Sequence, residues 1–202
     1  MTLFTREEGL IQALYRGGRS PKKQALLQAF TPLWVTINER RGWHYVNQLD
    51  LRSASRMLTG SALLAALYVN ELLHHGLRAQ DAAETLYDVY EQTMEGLALS
   101  TDLEPCLRRF EWHLLQVMGY DMSLTHDATS HQPIVSENHY AWVPHHGFVA
   151  AHEGFLGAHI LAFSQDQLHE KEVLRSVKHI MRQALYHALG GRYLMTRDLY
   201  FR

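Results

Sequence analysis

Apolar and polar positions follow one rhythm over the first fifty residues and another after it. Leu10–Tyr15 is a short, mostly apolar run, Leu33–Ile37 is rich in β-formers, and Trp43–Leu49 is a second aromatic and β-branched run. This pattern predicts three strands. Asn38-Glu39-Arg40-Arg41-Gly42 separates the last two as a hairpin connection ending in glycine. Between the first two lies Arg16-Gly17-Gly18-Arg19-Ser20-Pro21-Lys22-Lys23, a basic loop without an apolar face. A small antiparallel sheet carrying a positive loop is the expectation.

From about Thr59 the apolar period becomes helical, with Thr59 or Ser61 as N-cap and a stop near Gly76. Ala62–Leu73 is apolar nearly all round, as a buried central helix would be. Asp81 is placed to cap a second helix with a stripe of Ala83, Leu86, Tyr87, Tyr90, Met94 and Leu97. Pro105 opens a third that runs to Gly119 and turns Leu107, Phe110, Leu114 and Val117 inward. Tyr120–Pro144 reads as an irregular connection, Gly147–Ala151 and His159–Phe163 as short strands. Lys171–Leu189 reads as an amphipathic helix ended by Gly190-Gly191, with Leu174, Val177, Met181, Ala184 and Ala188 toward the core and Arg175, Lys178 and Arg182 away from it. The predicted organisation is a sheet domain over 1–56 and a mainly helical domain over 57–202, with a short irregular or β insertion around 120–165. The fold class is α+β.

At 202 residues and 47% hydrophobic content the chain can bury a core. Its longest apolar run, Ala62–Val69, is far below the roughly 20 residues of a bilayer span, and the start lacks a basic-then-apolar secretory pattern. A cytoplasmic location without a membrane partner is expected. The lone cysteine, Cys106, excludes an internal disulfide and a cysteine-based zinc cluster. A net charge of −2 argues against a nucleic-acid partner only until it is divided along the chain. Residues 1–56 hold nine Lys/Arg against four acids, a balance of +5, and the remainder ten against seventeen, −7. One half is suited to phosphate and the other to protein contacts.

Catalytic signatures are missing: the Gly17-Gly18 loop lacks P-loop spacing, and His169-Glu170-Lys171-Glu172-Val173 has no second histidine at the zincin position. No enzymatic activity is expected. His139, His145, His146, His152 and His159 raise a metal site as a candidate, but solvated or hydrogen-bonded rings are the reading preferred. Arg16, Arg19, Lys22 and Lys23 form either a solvated loop or, with Tyr15, Trp34, Trp43 and Tyr45 nearby, a single-strand-binding surface that Arg40 and Arg41 extend. Arg108 and Arg109, in the first turns of a helix, suit an acidic peptide tail. Intrachain pairing of Arg108 with Glu104 or Glu111 is the equal alternative.

Several stretches together resemble the RecO family. They are Gly18-Arg19-Ser20 with Phe30-Thr31-Pro32-Leu33, Leu67-Tyr68-Val69-Asn70-Glu71-Leu72-Leu73, Glu104-Pro105-Cys106-Leu107-Arg108-Arg109-Phe110-Glu111, Met118-Gly119-Tyr120, Leu189-Gly190-Gly191-Arg192 and Arg197-Asp198-Leu199. The resemblance implies an N-terminal OB-fold followed by a helical domain and a recombination mediator without bond-cleaving activity. Such a mediator binds single- and double-stranded DNA, anneals complementary strands, takes up the C-terminal tail of single-strand-binding protein and, with RecR, helps load RecA. It also implies a nucleoid-associated location. The DNA face falls to Arg16, Arg19, Lys22, Lys23, Arg40 and Arg41, and the tail pocket to Arg108 and Arg109. Tyr120–Pro144 has no cysteine, which is similar to the zinc-free branch, so no cofactor is expected. Met1–Thr5 resembles the family's second strand, which leaves about four of the five strands of an OB barrel and an exposed sheet edge. The rival reading is a helical interaction scaffold whose shortened sheet no longer binds DNA.

Overall fold

Four strands form the N-terminal sheet: Thr2–Thr5 (β1), Gly9–Leu14 (β2) and, after the single helical turn Pro21–Gln24 (α1), Leu33–Arg40 (β3) and Trp43–Leu51 (β4). The computed structural model describes residues 1–18, 20–24, 26–99 and 102–199. The sheet order is β1-β2-β4-β3, antiparallel except for the β2–β4 pair, and β1 and β3 are its two edges. An OB barrel has one strand more. A cavity of about 510 Å³ is lined from both edges, by Leu3 and Phe4 and by Leu33 and Val35. Ile11, Ala13, Val46 and Leu49 form the buried side of the sheet, with Leu3, Tyr15, Leu27 and Ile37 packed on them.

The β3–β4 connection is shorter than its sequence suggests. Asn38, Glu39 and Arg40 pair with Tyr45, His44 and Trp43, so only Arg41 and Gly42 turn the chain. Both take positive φ, 54° and 76°, the two-residue turn whose twist matches that of the strands it joins.

By packing, the chain divides into two units, Met1–Thr101 with Leu194–Arg202, and Asp102–Tyr193. In the first, the sheet is followed by Gly60–Gly76 (α2) and Glu84–Leu99 (α3). α2 buries Ala65, Ala66, Tyr68, Val69, Leu72 and Leu73; α3 buries Leu86, Thr93, Met94 and Leu97. The second unit begins with Leu103–Val117 (α4), which buries Leu107, Phe110 and Leu114 but leaves Val117 44% exposed at its last turn.

The stretch expected to be irregular contains a strand. His139–Val143 (β5) pairs with Gly147–Ala151 (β6) and Phe155–Leu156 (β7), and its Tyr140 and Trp142 are buried on alternate positions. The strand expected at His159–Phe163 is instead part of a helix, Gly157–Ser164 (α5). A short apolar run carries no periodicity that separates a buried strand from a buried helix, and here the helix takes it. Lys171–Ala188 (α6) follows, burying Val173, Val177, Ile180, Met181, Ala184 and Leu185.

The last turn, Thr196–Leu199 (α7), returns to the first unit and packs on α2. Glu71 of α2 holds it there, accepting hydrogen bonds from the Met195 amide (2.7 Å), the Thr196 amide (2.9 Å) and the Thr196 hydroxyl (2.5 Å). Partial burial pushes the Glu71 carboxyl up, but these donors and His75 outweigh it and leave it below its ordinary value.

Candidate nucleic-acid interface

The nine cations of residues 1–56 are not equivalent once folded. Arg6 pairs with Asp88 at 2.9 Å and lies 3.8 Å from Glu84. Arg52 and Arg56 converge on Glu91 at 2.7 and 3.1 Å, and Arg52 also reaches the Tyr87 hydroxyl at 3.2 Å. Glu84, Asp88 and Glu91 sit four and three residues apart on α3, one acidic face turned toward these three arginines. That spacing is legible in the sequence, but which cations it meets is not. Arg6, Arg52 and Arg56 are thereby neutralised, and none of the three is among the six cations assigned to DNA.

Of these six, Arg16, Arg40 and Arg41 are exposed and make no ion pair among the described residues. Arg16 lies over the Tyr45 ring at 5.7 Å. Lys23 lies 4.4 Å over the Tyr15 ring and donates to the Arg16 carbonyl at 3.0 Å, which ties the basic loop together. Arg19 and the side chain of Lys22 fall outside the described residues.

Strand register places the rest. Arg40 is opposite Trp43, and Asn38 and Leu14 are opposite Tyr45. Cross-strand partners share a face and positions two apart along a strand do too, so Arg40, Trp43, Tyr45 and Leu14 occupy one side. That is the side away from Ala13 and Val46, and Trp43 on it is 60% exposed. Trp34 is exposed as well, whereas Tyr15 packs on the core. The four aromatics therefore separate: Trp34 and Trp43 offer ring faces to solvent, Tyr45 supports a guanidinium, and Tyr15 is structural. A row of cations beside open indole rings can follow a phosphate backbone and stack its bases.

The two arginines of α4 are held within the chain. Arg108 is 3% exposed and donates to Glu111 at 2.8 Å, with Glu104 at 3.9 Å. Its Nε has no hydrogen-bond partner. Arg109 is partly exposed and pairs with Asp166 at 2.7 Å. Of the histidines considered for a metal, His159 bonds Ser176 at 2.7 Å and His145 stacks near Tyr120. Among the described residues no three His, Cys, Asp or Glu side chains are grouped to hold an ion. Cys106 is half-buried, and burial pushes its thiol up.

A small sheet with surplus cations on its solvent side, continued by a helical region, defines an α+β protein with a candidate nucleic-acid-binding sheet. Residues 1–54 match the family model for the Recombination protein O N terminal and residues 57–197 that for the Recombination protein O C terminal. The chain belongs to the RecO family. It is 45% identical to the DNA repair protein RecO of Legionella pneumophila strain Paris, over 99% of this chain and 89% of that protein. It is 37% identical to the RecO of Stutzerimonas stutzeri over 98% and 84% of the two chains, and 34% to that of Pseudoalteromonas atlantica over 99% and 86%. No described helix is long and apolar enough to cross a membrane.

Proposed function

We propose that this chain is a recombination mediator that binds single- and double-stranded DNA, anneals complementary strands and, with RecR, helps load RecA onto DNA coated by single-strand-binding protein. It works by binding alone, without making or breaking a covalent bond. Arg16, Arg19, Lys22, Lys23, Arg40 and Arg41 meet phosphates, and Trp34 and Trp43 stack on bases. Arg109, partly exposed in its pair with Asp166, receives the acidic tail of single-strand-binding protein, and Arg108, buried against Glu111 on the same helix, belongs to the same pocket. The observation that carries the reading is the sorting of charge within residues 1–56: of the described cations there, Arg16, Lys23, Arg40 and Arg41 make no ion pair among the described residues and lie in the basic loop and the β3–β4 hairpin, with the exposed Trp43 opposite Arg40.

The test is annealing of complementary oligonucleotides coated with single-strand-binding protein, by the chain and by Arg16→Ala/Arg40→Ala/Arg41→Ala. Three lost phosphate contacts should weaken DNA binding on the order of a hundredfold at low salt and slow annealing in step. Equal rates for the two proteins would remove the sheet surface from the mechanism.

A further inference from the structure

The second unit, Asp102–Tyr193, is acidic overall, with seven Lys/Arg against ten Asp/Glu. Four of its seven cations nevertheless stand on one helix, α6: Lys171, Arg175, Lys178 and Arg182. Arg108 and Arg109 are engaged by Glu111 and Asp166, and Lys178 by Glu104 at 2.5 Å. Lys171, Arg175 and Arg182 are exposed and have no ion pair among the described residues.

Helical geometry of 100° per residue sets Lys171, Arg175, His179, Arg182 and Tyr186 within an arc of roughly 80°, with about 16 Å from the first cation to Arg182. All five are exposed, Tyr186 by 54%. Glu172 is the one acid on the helix and lies at the border of this arc. The opposite side of α6 is the core face described above. The exposed stripe thus has charge in a row and a ring at its end, a polar surface that follows a charged backbone rather than sinking into a bilayer.

We infer that the exposed face of α6 is a second nucleic-acid contact, which holds the sugar-phosphate backbone of a further strand along Lys171, Arg175 and Arg182 and stacks a base on Tyr186. For a strand in stacked helical form, which advances 3.4 Å along its axis per phosphate, 16 Å spans about five phosphates. His179 sits between Arg175 and Arg182 and hydrogen-bonds a phosphate from the same row. The inference rests on the DNA-binding reading above and deepens it: annealing requires two strands on one protein, and each packing unit then carries one.

The experiment compares the full chain with Lys171→Ala/Arg175→Ala/Arg182→Ala, with the charge-conserving Lys171→Arg/Arg175→Lys/Arg182→Lys, and with the sheet variant Arg16→Ala/Arg40→Ala/Arg41→Ala. Stoichiometry is read by titrating a short oligo(dT), and annealing on bare complementary strands. The α6 alanine variant should bind one oligonucleotide per chain where the parent binds two, keep the affinity of the first site, and anneal about tenfold more slowly, while the charge-conserving variant retains both. Unchanged stoichiometry and annealing in the alanine variant overturn the α6 site while leaving the sheet surface standing. Failure of the parent chain to bind any oligonucleotide overturns the DNA-binding reading itself. Capture of an acidic peptide by the stripe with no loss of oligonucleotide in the alanine variant also overturns it, in favour of a protein partner.

Discussion

At the scale of single residues, two buried sites, an ion pair and a lone carboxylate, decide more than the exposed charges. Arg108 and Glu111 are 3% and 1% exposed, so removing one leaves the other charged and dry. Arg108→Met should lower unfolding stability by about 3 kcal/mol in urea melts, and Arg108→Met/Glu111→Leu should regain most of it. Loss of tail binding in Arg108→Ala therefore has to be separated from loss of fold, whereas Arg109→Ala is the cleaner probe. Asp127 is the second case. Its carboxylate accepts from the Ser130 amide and hydroxyl and from the Ala150 and Thr129 amides. These donors, the Ser130 amide foremost, hold it at about 2. Because the folded value lies below the unfolded one, the stability it contributes is present above pH 4 and disappears as pH falls toward 2. Asp127→Asn should cost about 2 kcal/mol at pH 7, with the gap to the parent closing in melts taken at pH 3 and below.

At the scale of elements, α3 is a built-in competitor for the cations of the sheet half. Glu91→Gln would release Arg52 and Arg56, which should raise DNA affinity about threefold at low salt while costing about 1 kcal/mol of stability. Unaltered affinity in a fluorescence titration would mean that these two guanidiniums are out of reach of DNA. Elements with a full apolar period were legible beforehand: α6 was bounded within a residue of where it lies, and β3 and β4 were located though cut short. Arg41 in the left-handed region hid the true turn, because only Gly42 advertised positive φ. β5 carried a proper alternation, Tyr140 and Trp142 in, His139 and Val143 toward solvent, but turn-forming neighbours masked it. The ion pairs across more than thirty residues, such as Arg52 with Glu91, depend on tertiary placement and no local spacing announces the partner.

At the scale of the whole molecule, the charge split between the first 56 residues and the rest was legible as a number but not as a surface. Folding subtracts Arg6, Arg52 and Arg56 from it. If the six remaining cations each neutralise one phosphate, log affinity should fall with log salt at a slope of about −4 for a single strand and −5 for a duplex. A slope near −1 in filter binding across 50–300 mM salt would show that the sheet surface makes few such contacts. The family motif around Asn70-Glu71 also gains a physical reason. Asn70 accepts from the Tyr90 hydroxyl at 3.0 Å, joining α2 to α3, while Glu71 secures Met195 and Thr196.

That attachment at Glu71 gives the molecule an unusual mechanical wiring. The chain leaves its first unit once and comes back once, so Asp102–Tyr193 is inserted in sequence between α3 and α7, and the return is fastened at α7. A pull applied between the sheet and the last turn runs first through the α2–α7 contact. Only after Thr196 is torn from Glu71 does tension reach α4 and α6. In an optical trap the Glu71→Ala chain should lose the early rupture event and load the inserted unit from the start of the pull.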